Sequence, residues 1–560
     1  MNSPRRMSQM LKSSGAMGMA TFLSRVLGMV REVLYARFMG DGPVAGAFKM
    51  AFMIPNLFRR LLGEGALTAA FIPIFKEKER TAGEAEMWRA ANAVISGLIV
   101  AACGIIGLVF LGITLILALQ SPSAEYTASP GVAKALENIA GSNFLNSGWP
   151  SDETRLMLRL LRLMFPYMLM VCLAAVFMGM LNARGHFFVP AMGAAVLNGL
   201  LIITVLFFAP RFGQTLDRQI LALAIGVLVA GAAQAAYQLP ALWREGFRYH
   251  WVSPWKNETV RQVVQKMIPG MLGVAAFQLN VLVTQSIAFS VDSQIVASFD
   301  YAVRLMELPQ GVFGISLATY LLPTLAGLAA EKKYPEFRAT LRQALGYLAF
   351  ANLIASALLM VLAEPIVRLL FERGEFDRFS TERAAFALAC LAPGLILFSA
   401  VNILARAFYA LGDTKTPMII SSVCLGLNIV FAVWLIHAFA QEGKGQGGMG
   451  IANTMSAAFN VWLLFYALRR KLSRLDLAGL KHSFFAMLGA AILAGELAWL
   501  GSLEWERWMG HARLLPKLGA VLVPMALACL IYWLVLLWLK VPQAQEFWQL
   551  LRQRIRKVRR

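Results

Sequence analysis

Residues 24–40 read "SRVLGMVREVLYARFMG", inside a stretch apolar enough to be taken for a membrane helix, yet Arg25, Arg31 and Glu32 sit where hydrocarbon would be. A second stretch, "IPNLFRRLLGEGALTAAF" at 54–71, does the same with Arg59, Arg60 and Glu64. Whether these are membrane helices decides the fold. The surrounding composition says they are. The chain has 560 residues, 58% of them hydrophobic and 15% charged, against about 45–50% and 25% for a soluble globular chain. It reads as an all-α polytopic membrane protein. The net charge of +21 therefore belongs to loops before it suggests a partner, and no nucleic-acid partner is expected. No cleavable signal peptide is expected either, since residues 1–20 lack a compact apolar core before a small-residue cleavage site.

A span needs about 20 mainly apolar residues. About fourteen stretches qualify, near 10–38, 44–73, 90–119, 156–182, 187–209, 219–241, 265–291, 295–326, 338–371, 383–410, 416–438, 449–468, 482–503 and 516–539. The first, second and eighth are the least hydrophobic and carry the charges. With an even number of spans, one side collects "SPRR", "KEKER", "WREGFRYHWVSPWKNETVR", "EKKYPEFRATLR", "LRRKLSR" and the tail "LRQRIRKVRR". The positive-inside rule then makes both termini cytoplasmic. Arg155, Arg159 and Arg162, spaced i, i+4, i+7 at the outer end of the fourth span, run against that rule and are read as a solvated helix face.

An internal repeat fixes the organisation. "PYMLMVCLAAVFMGMLNARGHFFVP" (166–190) and "PGLILFSAVNILARAFYALGDTKTP" (393–417) share a first proline, a glycine (Gly185, Gly412) and a last proline (Pro190, Pro417) at one offset. "FIPIFKEKER" (71–80) echoes "LLPTLAGLAAEKK" (321–333). Two six-helix lobes of the same topology, 1–245 and 246–475, are expected, with two extra C-terminal helices at 476–545 and a basic cytoplasmic tail at 546–560. Repeats with parallel topology place a site centrally between the halves.

A mid-bilayer arginine costs roughly 2.5–3.5 kcal/mol on insertion scales, so such residues face a protein interior or a wet cavity. Arg25 and Glu32, seven apart, share a helix face, and Arg31 points about 100° away from Glu32. Arg60 and Glu64 (i, i+4) can pair, while Arg59 has no such local partner. Arg304 lies in the eighth span, with Glu307 one turn on. In these spans basic residues outnumber nearby acids, and guanidiniums lining a cavity suit a phosphate-bearing guest. Nothing points to catalysis: there is no GxxxxGK[ST] loop and no HExxH, and the five histidines (His186, His250, His437, His482, His511) are scattered. The five cysteines (Cys103, Cys172, Cys390, Cys424, Cys529) lie in apolar segments without metal or redox spacing.

"SRVLGMVRE", "IPNLFRRLLGEGALTAAFIPIF", "RLMELPQGVFGISLATYLLP" and "FYALGDTKTP" resemble the bacterial MurJ (MviN) family, the lipid II flippases of the multidrug/oligosaccharidyl-lipid/polysaccharide exporter superfamily. The resemblance covers most of the chain. It implies a non-enzymatic fourteen-helix carrier with two lobes around a cationic cavity, and a groove between the two extra helices for the lipid tail. The implied substrate is lipid II, the undecaprenyl-pyrophosphate-linked peptidoglycan precursor, moved to the outer leaflet of the cytoplasmic membrane by alternating access. The family's essential arginines carry over onto Arg25, Arg31, Arg59 and Arg304 as substrate-binding residues. Glu32, Arg60, Glu64 and Glu307 follow as gate or ion-pair residues. Three positions depart from the family pattern: Glu32 replaces Asp, Gly46 stands where an Asp is frequent, with Lys49 nearby, and Val303 replaces an acid. Some members bind Na⁺ among spans 7, 11 and 12. Here Gln278, Asn280, Asn428 and Asn453 are polar, but Asp292 is the sole acid and lies at a loop, so no metal or cofactor is expected. The partners expected are lipid II and membrane lipids, with the chain acting as a monomer. A flippase for another polyprenyl-linked glycan, a cation-coupled small-molecule exporter and a non-transporting scaffold are the rival readings.

Overall fold

The computed structural model describes residues 4–63, 66–118, 151–472, 478–511 and 513–558, and every regular element among them is a helix. The chain divides into two units, Met1–Leu282 and Val283–Arg560. The first holds α1 (Pro4–Met39), α2 (Pro43–Phe58), α3 (Ala66–Ala118), α4 (Asp152–Met164), α5 (Tyr167–Ala183), α6 (Phe188–Ile203), α7 (Leu216–Ala236), α8 (Leu239–Arg244) and most of α9 (Glu258–Val291). The second holds α10 (Ser293–Pro309), α11 (Ser316–Ala330), α12 (Tyr334–Val361), α13 (Ala363–Phe371), α14 (Arg378–Leu391), α15 (Gly394–Ala410), α16 (Lys415–Ala440), α17 (Gly445–Lys471), α18 (Ala478–Met509), α19 (Leu514–Trp538) and α20 (Pro542–Val558).

Eight helices among the described residues are long and apolar enough to cross a bilayer, and ten if the bent pairs α4–α5 (42°) and α14–α15 (44°) each count as one span. Fourteen were expected. The four that fall short are α1, α2, α9 and α10, three of which carry charged residues and one of which, α9, is interrupted by Gln278, Asn280 and Gln285. A helix that turns polar groups toward protein need not be apolar all round, so composition alone misses it.

The repeat reaches the cores. In the first unit Phe71, Phe75, Met87, Ala91, Val94 and Ile95 of α3 pack with Phe177, Met180 and Leu181 of α5 and with Leu242. In the second, Leu321 and Leu325 of α11, with Phe337, Leu341, Ala344 and Leu345 of α12, pack with Leu404, Ala407 and Phe408 of α15 and with Leu468. Each α3 position recurs 250 residues later and each α5 position 227 later, so both halves bury the same faces. The change of offset comes from a first half that is 23 residues longer between Ile95 and Pro166 than the second is between Leu345 and Pro393. Backbone irregularities recur as well. A π-helical turn follows α2 at Arg59–Gly63 and α10 at Gln310–Ile315. Gly185 (φ 88°) and Gly412 (φ 75°) end α5 and α15 in the left-handed conformation that only glycine adopts cheaply. The next amide then reaches back over the last turn, His186 N–H to the Leu181 carbonyl at 2.9 Å and Asp413 N–H to the Phe408 carbonyl at 3.0 Å.

Just beyond those glycines each half ties its loop to the helix end that follows. In the first, His186 Nε2 meets Glu245 at 2.7 Å, and Arg184 binds Glu245 (2.7 Å), Glu79 (2.6 Å) and Glu84 (2.9 Å). Its hydrogen bond to Lys76 and the Arg184 guanidinium hold Glu79 below the usual carboxylate range, while His186 and Arg184 do the same to Glu245. In the second, Asp413 binds Lys471 at 2.6 Å and accepts from Thr416 N at 3.0 Å, which hold its carboxyl down to about 2. His186 and Asp413 are 227 apart, and Glu245 and Lys471 226 apart: one latch, with its polarity reversed.

The two C-terminal helices α18 and α19 attach to the second unit. Trp505 Nε1 donates to the Pro516 carbonyl (3.0 Å) and Tyr532 to the Phe350 carbonyl (3.0 Å). Arg368 of α13, nine-tenths buried, binds Glu506 (2.6 Å) and Glu364, and Lys517 binds Glu372 at 3.1 Å.

Candidate functional site

α1 presents Arg31 and Glu32 side by side. Although their Cβ vectors diverge by about 100°, the long guanidinium folds back, and Arg31 Nη2 pairs with Glu32. This corrects the expectation that the two would point apart. Arg31 Nη1 also donates to Asn198 Oδ1 of α6 at 2.9 Å, and Asn198 in turn donates to the Ser24 carbonyl at 3.2 Å. The guanidinium carbon lies 5.5 Å from the centroid of the Tyr35 ring, which packs edge-on against Phe48 of α2. From α2, Lys49 Nζ approaches the second Glu32 oxygen at 3.9 Å. Glu32 is 5% exposed, so two cations share one carboxylate away from water. Asn198 was missed from the sequence; its signal was a lone amide in "FVPAMGAAVLNGLLII". Lys49, noted only as a departure, proves part of the cluster.

Arg25, two turns before Glu32 on the same face of α1, is exposed. Arg59 and Arg60 are both half-buried on the π-helical turn after α2, where Arg60 Nη1 approaches Gln278 Oε1 of α9 at 3.5 Å. Glu64, expected as Arg60's partner, lies outside the described residues. In the second unit Arg304 bonds Glu307 at 3.0 Å and lies 3.6 Å from Asp300, one turn before it. Asp300 was not singled out from the sequence, although its i, i+4 spacing to Arg304 was available. It supplies the acid that Val303 lacks. The second unit's Asn428 and Asn453 hydrogen-bond each other at 3.0 Å, and Asp292 caps α10 through Gln294 N (2.8 Å).

Arg31, Lys49 and Arg304 are thus clamped by acids. A clamped guanidinium keeps its charge and can exchange a carboxylate for a stronger anion. A phosphate offers the same bidentate geometry with more charge.

The family description "Lipid II flippase MurJ" matches residues 35–518 of the chain. A relative from Vibrio cholerae named "Probable lipid II flippase MurJ" is 32% identical over 527 residues, 92% of this chain and 94% of that protein. A solved structure of "Lipid II flippase MurJ, inward closed conformation" superposes with a TM-score of 0.72 at 21% identity, over 93% of this chain and 97% of its own. The inward-facing conformation of a multidrug-resistance MATE family transporter superposes at 0.59 and 16% identity, over 80% of this chain and 94% of its own. The last two likenesses bear on the fold alone.

Proposed function

The chain belongs to the MurJ family of lipid II flippases, and from that premise we propose that it carries the undecaprenyl-diphosphate-linked peptidoglycan precursor from the inner to the outer leaflet of the bacterial cytoplasmic membrane. Arg25, Arg31, Arg59 and Arg304 bind the diphosphate, with Glu32, Arg60, Glu64 and Glu307 holding or releasing them. Both termini face the cytoplasm, and the lobes are 1–245 and 246–475. The α18–α19 pair receives the polyprenyl tail, and the protein acts as a monomeric carrier without a chemical step of its own.

One observation carries this reading: the acids described in the charged helices α1 and α10 are occupied by arginine. Glu32 holds Arg31, and Asp300 and Glu307 hold Arg304. A cation-coupled exporter needs acids that take up and release protons or sodium. Here the same acids offset guanidiniums, which favours an anionic cargo. The test is depletion of the native protein and rescue by variants, reading lipid II at the outer leaflet with an impermeant probe. Alanine at Arg31, Arg59 or Arg304 is expected to abolish exposure of lipid II while the protein still inserts, and Arg304→Lys to restore it only in part. Full rescue by the alanine variants at wild-type abundance would refute the role.

A further inference from the structure

The arginine row of α4 has no part in the function above and runs against the distribution of charge that fixes the orientation. α4 begins after the segment that follows α3 and ends at the Pro166 bend, at the opposite end of its span from Arg184, which places it at the outer face in the orientation proposed above. Three arginines there need a reason.

The fold does not supply one. Leu158, Leu160, Leu161 and Met164 bury the inner face of α4, and Arg155, Arg159 and Arg162 lie exposed on the other. Their spacing keeps them within about 60° of arc and about 10 Å of rise. At the equivalent positions of the second half, 227 residues on, stand Glu382, Phe386 and Ala389, so the corresponding helix forms without arginine at those three positions. Nor are the arginines consumed in ion pairs. Arg155 lies 3.5 Å from Asp152, whose own side chain is 99% exposed, and among the described residues neither Arg159 nor Arg162 has a carboxylate partner.

The surroundings of the row are not open solvent. The Arg162 guanidinium lies 5.9 Å over the ring of Phe110 on α3. Around Phe110, Leu108, Leu111 and Leu115 are 71%, 67% and 52% exposed, on the span with the highest mean hydropathy, 2.7, of which only 11% is buried. That surface belongs against acyl chains. The span expected at 90–119 is about 45 Å long, against a hydrocarbon core of about 30 Å, so its outer turns rise through the headgroups. A guanidinium beside such a surface extends toward the phosphate plane.

We infer that Arg155, Arg159 and Arg162 form a binding face for the phosphate of an anionic phospholipid in the outer leaflet, fixing the first half of the molecule at that interface. The leaflet assignment rests on the orientation proposed above; the chemistry of the face does not. Phosphate is the partner because it lies at the depth the row reaches and accepts bidentate bonds from more than one guanidinium.

The full-length protein, purified in detergent and titrated with phosphatidylglycerol or phosphatidylcholine, is followed by native mass spectrometry. The wild type should retain phosphatidylglycerol at least tenfold more tightly than R155Q/R159Q/R162Q, whereas R155K/R159K/R162K should keep most of that affinity. The basic C-terminal tail is common to all three proteins and cancels in the comparison. Equal retention by wild type and glutamine variant, or equal retention of the zwitterionic lipid, overturns the inference and leaves the row to an acidic protein or to another segment of this chain. Leaflet is read separately. Ser151→Cys, in a background with the native cysteines replaced, should react with an impermeant maleimide on intact spheroplasts. Labelling only after lysis would overturn the outer-leaflet assignment and the proposed orientation with it, without touching the lipid-retention result or the lipid II assay.

Discussion

If Arg31 binds the diphosphate, Glu32 competes with the substrate for it, and Glu32→Gln should tighten binding. The resting state has Arg31 held by Glu32 and Asn198, so the incoming anion must displace the carboxylate. A hydrogen bond to a charged group is worth about 1.5–3 kcal/mol net. Glutamine keeps an acceptor oxygen and loses the charge, so about half of that is released, roughly 0.8–1.5 kcal/mol or about fourfold to tenfold in affinity. Lys49, 3.9 Å from Glu32, loses its counter-ion at the same time and adds positive potential to the same place. Arg31→Ala, by contrast, should weaken binding by about tenfold to a hundredfold. Binding of radiolabelled undecaprenyl diphosphate to purified protein in nanodiscs measures both, and thermal unfolding confirms that each variant is folded. The opposing account makes Arg31–Glu32–Lys49 a purely structural tie. It predicts that Glu32→Gln lowers the unfolding temperature with no gain in affinity, because an unneutralised buried pair of cations disrupts α1 against α2. That outcome, together with wild-type affinity in Arg31→Ala, would refute the reasoning.

Arg184→Ala should raise hydrogen exchange in peptides covering 73–88 and 240–250 by about thirtyfold, corresponding to about 2 kcal/mol from its bonds to Glu79 and Glu245 with the more exposed Glu84 discounted; Arg89→Ala, which removes an exposed pair with Glu86, should leave exchange there unchanged. Gly448→Ala places a Cβ 2.3 Å from the Leu435 carbonyl oxygen, a backbone atom, and should destabilise α16 against α17 by about 1–3 kcal/mol, whereas Gly426→Ala on α16 meets nothing within 4 Å and should be neutral or better in thermal unfolding. Asp413→Ala should loosen exchange at 411–417 more than Lys471→Ala, because it removes the bonds to Thr416 as well as the ion pair. Because Asp413 titrates near 2 in the fold, and higher when unfolded, its contribution is complete above about pH 4 and lost as pH falls toward 2; a wild-type stability difference between pH 6 and pH 3 that persists unchanged in Asp413→Ala would count against it.

Much of the fold was legible because hydrophobic runs and turn residues are local signals. Pro166, Gly185 and Pro190 announce their counterparts at 393, 412 and 417, and the core positions of α5 follow at the same offset. The charged helices were legible as anomalies but not as contacts. Helical phase placed Arg31 away from Glu32 because a wheel plots Cβ directions, while an arginine is long enough to fold back across that angle. Asn198 could not be found, and Gln278 was noted as polar but not as the neighbour of Arg60, since no local pattern says which apolar helix will lie beside α1 or beside the turn at Arg59. The π-helical turns left no reading either; one extra residue per turn is set by tertiary packing, and Arg59 was interpreted on a regular α-helix.

Comparing the two halves separates what the architecture requires from what was added to it. The buried apolar positions of α3 and α5 agree with those of α11, α12 and α15, and so do the glycine that ends α5 and α15 and the π-helical turns that follow α2 and α10; these make the fold. The charged features do not agree. Asn198, which orients Arg31, is replaced 227 residues on by Leu425, whose side chain carries no amide. The loop latch is kept in position but changes sign, from His186–Glu245 to Asp413–Lys471, so what is preserved there is attraction between a loop and a helix end, not a particular charge. The arginine row of α4 has no counterpart at all. A feature preserved with either polarity serves structure, because any opposite pair will do. A feature in one half only, placed where its charge is costly, is retained for something outside the chain. By that criterion the Arg31 cluster and the α4 row are the two places proposed to meet phosphate, and the Arg184 and Asp413 latches are scaffold.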